Sequence, residues 1–187
     1  AFCSAGNTES AISFGGLPLL KAIETQAFAS FEGRLAIIGE YPALETFGEG
    51  AFFSAGNTES AISFSGLLLL NAIETNAFKY FKGMLAITGE YPALETVGEN
   101  AFRAAGNTES KVDLSGLNSA KLKSIHYLAF NDFKGSVTLP TGPFQNYTGG
   151  CNRMYGITPD PDVGLLRGAA IPVSRQSSRR GVAEKSS

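Results

Sequence analysis

The ten residues AGNTESAISF at positions 5–14 recur without a change at positions 55–64, and AGNTES occurs a third time at positions 105–110. The identity extends outward from these segments, since 38 of the 50 residues in 1–50 are the same in 51–100. Residues 101–139 begin a third copy. A fixed period of this size is typical of stacked repeat architectures, in which each repeat is one supersecondary unit. The sequence therefore predicts a solenoid.

Each 50-residue unit contains two shorter units, and each of these is marked by an Ala-Phe pair. Successive pairs lie 26, 24, 26, 24 and 28 residues apart. A leucine followed three residues later by Ile, Phe or Val precedes each internal pair, as Leu44 and Phe47 precede Phe52. This near-helical spacing predicts a short helical or 3₁₀ turn on the outer side of each coil. The pairs are Ala1/Phe2, Ala27/Phe28, Ala51/Phe52, Ala77/Phe78, Ala101/Phe102 and Ala129/Phe130.

Short segments between these turns alternate apolar and polar residues. Period two over four or five residues indicates a strand with one buried face. One coil of about 25 residues cannot bury its own apolar side chains, so neighbouring coils must cover them. We therefore predict six stacked parallel strands, one per coil. Their inward pairs are Ile12 and Phe14, Leu35 and Ile37, Ile62 and Phe64, Leu85 and Ile87, Val112 and Leu114, and Val137 and Leu139.

Two runs of the sequence share one pattern of apolar residues and glycine, Leu44, Phe47, Gly48, Ala51, Phe52 and Leu94, Val97, Gly98, Ala101, Phe102. These runs resemble the leucine-rich repeats of BspA-like surface proteins, and the resemblance covers roughly residues 1–140. The family's Ile-Gly step is Ile-Glu at Glu24 and Glu74 and Ile-His at His126, and the AGNTES segments lengthen the other coils. The resemblance implies a cell-surface or secreted protein that binds proteins, matrix or host cells without catalysis.

Together these patterns predict an α/β solenoid. We expect a right-handed leucine-rich-repeat stack of about six coils over residues 1–140, with short helical or irregular outer turns. The repeat stops near residue 140, so residues 141–167 are expected to form a C-terminal cap. Residues 168–187 are Ser/Arg-rich and poor in large apolar residues, which predicts a disordered basic tail. Because the chain begins at Ala1 inside a repeat, we also expect a fragment or a product processed from a longer protein.

Charge and cysteine usage limit the classes of partner. The net charge of −2 divides into −7 over residues 1–100 and +5 over residues 101–187. Nucleic-acid binding needs a basic folded face, and the acidic repeats argue against it. No run of apolar residues approaches the ~18 that a membrane span needs. Cys3 and Cys151 would lie near opposite ends of the stack, so no internal disulfide is expected.

The outward positions of the predicted strands form the candidate ligand-binding face, because solenoids bind through extended regular surfaces. This face is small and weakly polar over four coils and charged in the fifth, and it lacks the Trp, Tyr or Arg anchors of interface hot spots. Two alternatives stay open. One is a structural module without a specific ligand, and the other is ice or flat-surface binding through the Ala/Ser/Thr array. The candidate residues are Ser13, Ile38, Ser63, Thr88, Lys111, Asp113 and Thr138.

No pattern in the sequence is typical of a catalytic, metal or cofactor site. P-loop, zinc-ligand and nucleophile motifs are absent. The single histidine, His126, stands where Glu24 and Glu74 stand in earlier copies, which favours a surface or satisfied core position. Asparagine favours turns, so the AGNTES segments predict structural turns. Their glutamates recur only every second coil, ~10 Å apart, which is too far to share a cation. We predict a protein without enzymatic activity or cofactor.

The resemblance also implies an extracellular or cell-surface location and a protein, cell-surface or matrix ligand as the partner. Asn146, in Asn146-Tyr147-Thr148, begins the single N-glycosylation sequon of the chain. Such a sequon can be used only in a secreted protein. The sequence leaves the identity of the ligand and the oligomeric state open.

Overall fold

The computed structural model describes residues 2–4, 6–118, 120–126 and 128–139, and the backbone of two strands at 157–159 and 165–168. Over these residues the chain is a parallel β-solenoid of about five turns. The strands in chain order are β1 (Ala11–Gly15), β2 (Ala22–Ile23), β3 (Arg34–Glu40), β4 (Thr46–Phe47), β5 (Ala61–Ser65), β6 (Ala72–Ile73), β7 (Met84–Ile87), β8 (Glu90–Tyr91), β9 (Thr96–Val97), β10 (Lys111–Asp113), β11 (Gly116–Leu117), β12 (Ser124–Ile125), β13 (Ser136–Thr138), β14 (Ile157–Pro159) and β15 (Leu165–Gly168).

The main sheet contains the six parallel strands β1, β3, β5, β7, β10 and β13, each close to the place where the alternating pattern predicts it. Their inward residues are buried, as in Leu35 and Ile37 of β3, except that those of β1, Ile12 and Phe14, are partly buried. The prediction of parallel strands with one buried face is confirmed. The pattern was readable because a strand buried on one face alternates apolar and polar residues in sequence. The backbone of β15 continues the sheet antiparallel to β13, and β14 pairs antiparallel with β15.

A second parallel sheet stands where the sequence predicts helical turns. It contains the two-residue strands β2, β4, β6, β9 and β12, and the part of the chain that the structure describes holds no helix. The predicted helical or 3₁₀ turns are therefore wrong, and over the described residues the fold is all-β rather than α/β. Leu44 and Phe47 are both buried as expected, but Phe47 belongs to an extended pair that follows a tight turn.

The hydrogen bonds of the second sheet give the reason for this difference. The N–H of Gly48 donates to the carbonyl of Ile23 in the preceding coil at 2.8 Å, and the N–H of Glu74 donates to the carbonyl of Phe47 at 2.9 Å. A helical turn would direct these N–H groups along the same segment. Here they bond to the neighbouring coil, and the three-residue spacing comes from a turn followed by a strand.

The Ala-Phe pairs form a third line of contacts along the stack. The N–H of Phe28 donates to the carbonyl of Ala51, and that of Phe52 donates to the carbonyl of Ala77, both at 2.7 Å. The phenylalanine rings of successive coils stack with centroids 4.9 to 5.6 Å apart. This ladder of stacked rings begins at Phe2 and joins each coil to the next. Its rings are Phe2, Phe28, Phe52, Phe78, Phe102 and Phe130.

The AGNTES segments are structural turns, as predicted. The side-chain oxygen of Asn57 accepts a hydrogen bond from the N–H of Glu59 at 3.0 Å. The hydroxyl of the buried Ser60 lies 3.3 Å from the same oxygen and accepts a hydrogen bond from the N–H of Leu35 at 3.0 Å. Ser110 makes the equivalent contact with the N–H of Leu85 at 2.9 Å. The second and third AGNTES turns therefore join their coils to the strand of the preceding coil.

In alternate coils a glycine directly follows the inward residue of the second-sheet strand, as Gly48 follows Phe47. Close packing of the backbone requires this glycine. A Cβ atom at Gly48 would lie 2.6 Å from the backbone nitrogen of Thr25, and one at Gly98 would lie 2.6 Å from that of Thr75. Real Cβ atoms do not approach backbone so closely, so glycine is required at these two positions. Glu24 and Glu74 occupy the equivalent positions of the other coils and are exposed.

The predicted domain limits stay predictions. Apart from the backbone of β14 and β15, the expected cap at residues 141–167 lies outside the described residues. The tail expected at residues 168–187 also lies outside them, except for Gly168 at the end of β15. The right-handed winding and the count of six coils are likewise predictions.

Candidate binding face

The outward side chains of the main sheet form the candidate binding face, which we call the main-sheet face. Backbone pairing arranges most of them in three rows that run along the stack, beside the exposed pair Ala11–Arg34 at the start of β1 and β3. The first row is Ser13, Ala36, Ala61 and Met84, and the second row is Gly15, Ile38, Ser63, Ala86, Lys111 and Ser136. The third row contains the pairs Glu40–Ser65 and Asp113–Thr138, with Thr88 directly after the pair of Ile87 with Val112.

The structure places the seven predicted residues on this face but divides them among the rows. Ser13 is in the first row, and Ile38, Ser63 and Lys111 are in the second. The third row holds the other three. The structure thus brings Ile38 next to Ser63 and Asp113 next to Thr138, but it does not align Ser13 with Ser63.

The division into rows follows from the register of the main sheet. From β1 to β10, paired residues are alternately 23 and 25 positions apart, as in Ser13–Ala36 and Ala36–Ala61, and the last step, from β10 to β13, is again 25. One step of 23 and one of 25 together cover two residues fewer than the 50-residue repeat. A residue and its equivalent 50 positions later therefore lie in adjacent rows rather than in the same row. In the second sheet Ala22 pairs with Thr46 and Thr46 with Ala72, which adds up to the full repeat. Sequence identity between copies therefore does not predict alignment on the main-sheet face.

Ile38 is the prominent apolar residue of the face, with 54% of its surface exposed. The same position of the next copy is Thr88, which is half-buried. Ser13 is exposed, and Ser63 and Thr138 are half-buried. An exposed isoleucine among small side chains gives the face one apolar contact point beside a flat surface.

The fifth coil carries the charged part of the face. The ammonium of Lys111 lies 2.9 Å from a carboxylate oxygen of Asp113. The hydroxyl and the N–H of Ser115 donate to the other oxygen of this carboxylate at 2.6 and 3.1 Å. Burial raises the pKa of Asp113, but the hydrogen bonds from Ser115 and Lys111 outweigh burial and hold the pKa below its ordinary value. The carboxylate is therefore ionised and already paired.

The charge of Asp113 also acts on a buried tyrosine, Tyr91. Tyr91 is fully buried in the fourth coil, and its hydroxyl has no hydrogen-bond partner among the described residues. Burial raises the pKa of this tyrosine, and the negative charge of Asp113 raises it further. The hydroxyl of Tyr41, its equivalent in the second coil, is also buried without a partner in the described part of the chain. The two phenols are thus neutral parts of the core.

A second small-residue array lies on the outward side of the second sheet and was missed in the sequence. Pairing places one residue of each coil in strict register along this sheet, and all five residues are half-buried. Neighbouring members are one strand spacing, ~4.8 Å, apart. In the sequence, each of these residues directly precedes the Ile, Phe or Val that follows a leucine by three residues. The array is Ala22, Thr46, Ala72, Thr96 and Ser124.

The turns after β1 and β5 expose leucine side chains, which the sequence analysis also missed. Leu17, Leu19, Leu68 and Leu69 are exposed, whereas Leu70 beside them is fully buried. We call these four exposed residues the leucine ridge. The runs LPLL at 17–20 and LLLL at 67–70 contained the signal, but spacing alone does not tell which leucines of an unbroken run point outward.

The remaining candidates have structural contacts or lie outside the described residues. The ring nitrogen Nδ1 of His126 accepts a hydrogen bond from the N–H of Leu128 at 3.3 Å, and the N–H of His126 donates to Val97 at 2.9 Å. Both contacts belong to the turn after β12. Asn146, the predicted glycosylation site, lies outside the described residues.

The described residues contain no helix of the length and apolar character that would cross a bilayer. Within the same part of the chain, no group of three His, Cys, Asp or Glu side chains is placed to hold a metal ion.

Comparisons with known proteins give no relative. No family model, no curated protein and no solved structure matches the chain.

Proposed function

We propose that the protein is a non-catalytic recognition scaffold of the BspA-like leucine-rich-repeat kind, which binds a protein of a cell surface or matrix through the main-sheet face. The openness of this face supports the proposal. Its outward side chains run across six parallel strands, and no described element packs over them. Solenoids use such extended, regular surfaces for binding because neighbouring coils present side chains at a fixed spacing.

The positions at which the copies differ support the same face. Ile38 corresponds to Thr88, and Lys111 and Asp113 correspond to Ala61 and Ser63 in the second copy. Core positions stay apolar in every copy, as Ile62 and Phe64 correspond to Val112 and Leu114, whereas these outward positions change in polarity and charge. The proposed ligand contacts Ile38 at one end of the face and the Lys111–Asp113 pair at the other. An extracellular location is part of the proposal, since the motif carries the resemblance to surface proteins.

The test uses a photo-crosslinking residue at Ser63, next to Ile38, and a matched one at Ala72 on the second sheet. Both positions are half-buried and lie in the third coil. Each labelled chain is exposed to an extract of cell-surface proteins, with unlabelled chain as the competitor. We expect one saturable cross-linked protein from Ser63 and none from Ala72.

Substitution then tests whether the main-sheet face carries the contact. Ile38→Lys should weaken the cross-link at Ser63 by about tenfold or more, as truncation of an interface anchor does. Leu69→Lys, an equally exposed apolar residue on the leucine ridge, should leave it unchanged. Equal cross-linking from both sheets, or loss only with Leu69→Lys, would contradict the proposal.

The flat-surface alternative was predicted for the Ala/Ser/Thr array of the main-sheet face, but its supporting observation is in the second sheet, where small residues lie in strict register at a regular spacing. Ordered-water or ice binding through this array would appear as thermal hysteresis of the unmodified chain. A structural module without a ligand would show neither hysteresis nor a saturable partner.

A further inference from the structure

A cluster of aromatic and basic side chains lies at the turns that follow the phenylalanine ladder in the third, fourth and fifth coils. The ring centroids of Phe53 and Tyr80 lie 5.9 Å apart, with the rings at an angle of 71°. The ammonium of Lys79 lies 5.6 Å from the centroid of Phe53 and 5.3 Å from that of Tyr80. Arg103 follows in the next coil, where its carbonyl accepts a hydrogen bond from the N–H of Tyr80 at 2.9 Å. We call these four residues the aromatic–basic patch.

The patch is in the middle of the stack and belongs to neither sheet. Each of its coils has a neighbouring coil on both sides, and the fifth is joined to the sixth by the N–H of Phe102, which donates to the carbonyl of Ala129 at 2.7 Å. Lys79 and Tyr80 lie between β6 of the second sheet and β7 of the main sheet. Tyr80 is 39% exposed, and the other three residues are half-buried. The patch is therefore accessible surface that is separate from the main-sheet face.

The two 50-residue copies differ in side-chain chemistry at this patch. They differ at twelve positions, since 38 of 50 are identical, and four of the twelve give the second copy an aromatic or basic side chain in or beside the patch. In the third copy Arg103 takes the place of Phe53. The ladder residues beside these positions stay Ala and Phe in every copy, so the changes alter the surface and leave the core as it is. The four pairs of positions are Cys3 and Phe53, Ala29 and Lys79, Ser30 and Tyr80, and Glu32 and Lys82.

Tyr80 occupies a backbone conformation that disfavours a large side chain. Its φ angle is +61°, in the left-handed region. A bulky residue is an outlier in this region, and such outliers cluster at binding sites, where the surrounding structure holds them in place. The exposed ring of Tyr80 is not part of the core, so its presence in this turn points to a contact outside the chain. The equivalent residues of the other coils, which also have positive φ, are Ser4, Ser30, Ser54, Ala104 and Asp132.

The patch carries cations that have no carboxylate partner among the described residues. Neither Lys79 nor Arg103 forms a salt bridge there, nor does the exposed Lys82 beside them. Phe53, Lys79 and Arg103 each directly follow a ladder residue, so they stand side by side in three successive coils. Neighbouring members are one strand spacing, ~4.8 Å, apart. This spacing allows one short segment of a partner to reach all three.

Exposed glutamates near the patch limit the kind of anion that fits. Glu74 lies four residues before the ladder ring of the fourth coil, and Glu99 lies three residues before that of the fifth. A strand of nucleic acid carries a phosphate at every nucleotide and would meet these carboxylates as well as the cations. A protein segment can place its few carboxylates against the cations alone. The charge pattern therefore favours an acidic protein segment.

We infer that the aromatic–basic patch binds an acidic segment of a partner protein. The guanidinium of Arg103 and the ammonium of Lys79 pair with carboxylates of the segment, and the exposed ring of Tyr80 packs against one of its aromatic side chains. Tyrosine and arginine are enriched among the residues that carry most of the energy of protein interfaces. The three rows of the main-sheet face contain neither. The contact is additional to the proposed function, because it lies on a different side of the coil.

The test measures the binding of a fluorescently labelled random copolymer of glutamate and tyrosine to the full chain, by fluorescence anisotropy at an ionic strength of about 0.15 M. We expect saturable binding. Lys79→Ala with Tyr80→Ser gives the fourth coil the residues that Ala29 and Ser30 provide in the second, so this patch variant keeps its fold. It should bind the copolymer about tenfold or more weakly, as the loss of interface anchors does. Circular dichroism checks the fold.

Two matched controls locate the contact. Lys21→Ala with Leu69→Ser removes the same charge and an exposed apolar side chain away from the patch, and Ile38→Ser changes the main-sheet face. Both should bind the copolymer as tightly as the unchanged chain does, which separates this contact from that of the proposed function. If either control weakened binding as much as the patch variant does, the contact would lie elsewhere and the inference would be overturned.

Two further probes define the chemistry of the partner. A polymer of glutamate alone should bind more weakly than the copolymer, because it has no ring for Tyr80. Single-stranded DNA of thymidine alone should bind more weakly than either, because of Glu74 and Glu99. Equal binding of the two polypeptides would overturn the inference, as would the absence of saturable copolymer binding. Tighter binding of the DNA that the patch variant abolishes would also overturn it and would indicate a nucleic-acid surface.

Discussion

Residues 2–25 and residues 52–75 differ at only four positions, yet they lie in different surroundings. Phe52 stacks between Phe28 and Phe78, whereas Phe2 stacks on one ring among the described residues, that of Phe28. In the described part of the chain, the third coil has a neighbouring coil on both sides and the first coil has one neighbour. The comparison shows that an apolar side chain of this protein is buried by the neighbouring coils, and that the sequence of its own coil does not decide its burial. Stability should therefore depend on how many neighbours a coil has.

The largest difference is expected between the two equivalent phenylalanines. Phe52→Ala removes a fully buried ring and should cost about 3–5 kcal/mol of unfolding free energy. Phe2→Ala removes a half-exposed ring at the end of the ladder and should cost less than about 1 kcal/mol. Urea denaturation at low protein concentration, followed by circular dichroism, measures both values. Equal losses would mean that the first coil is covered as fully as the third.

A smaller difference is expected between the two equivalent serines. Ser60→Ala leaves the buried N–H of Leu35 without its acceptor and should cost about 1–3 kcal/mol. Ser10→Ala removes only contacts within an exposed turn and should cost a few tenths of a kcal/mol, about the size of an ordinary surface change. The same denaturation experiment tests this pair. A Ser10→Ala loss as large as that of Ser60→Ala would show that Ser10 also receives a hydrogen bond from a neighbouring strand.

The smallest difference concerns the fifth coil, which has Lys111, Asp113 and Ser115 where the first coil has Ala11, Ser13 and Gly15. The pKa of Asp113 is lower in the folded chain than its unfolded value of about 3.9. Its contribution is therefore complete above the unfolded pKa and is lost as the pH falls through the folded pKa. The carboxylate is near the surface, so this contribution should be less than about 1 kcal/mol.

Asp113→Asn measures this contribution. The urea midpoint of the unchanged chain and of the variant is compared between about pH 2 and pH 6. The gap between them should narrow as the pH falls. A constant gap over the whole range would mean that the carboxylate does not titrate differently in the folded and unfolded chain. Ser13→Asn in the first coil is the matched control and should show no pH-dependent gap, because Ser13 carries no charge.

The part of the fold that the sequence predicted correctly depends on local periodicity. The main-sheet strands alternate in sequence because one of their faces is buried, and the copies Ile62 and Phe64 repeat the pattern of Ile12 and Phe14. The Asn57 turn was also predictable, since an asparagine side chain bonds the backbone two residues on. Both features are set by residues within a few positions of each other.

The errors concern contacts between coils. The three-residue spacing of Leu44 and Phe47 is compatible with a helical turn or with a turn followed by a short strand. Hydrogen bonds of this segment with Ile23 and Glu74 of the neighbouring coils decide for the strand. Periodicity within one coil cannot distinguish these two structures. The candidate face was likewise assigned to the correct strands, but the rows within it were not predictable.

The sequence by itself determined that this protein is a stack of paired coils, each marked by an Ala-Phe pair, with one buried face on each main-sheet strand, because repetition and alternation are local properties. Only the tertiary structure decided how the coils meet. It set the two-residue drift that separates Ser13 from Ser63 on the main-sheet face, the close approach that requires Gly48, and the exposure of Phe2 where Phe52 is buried. The physical reason is that register, spacing and burial depend on a neighbouring coil, and identical copies do not have identical neighbours.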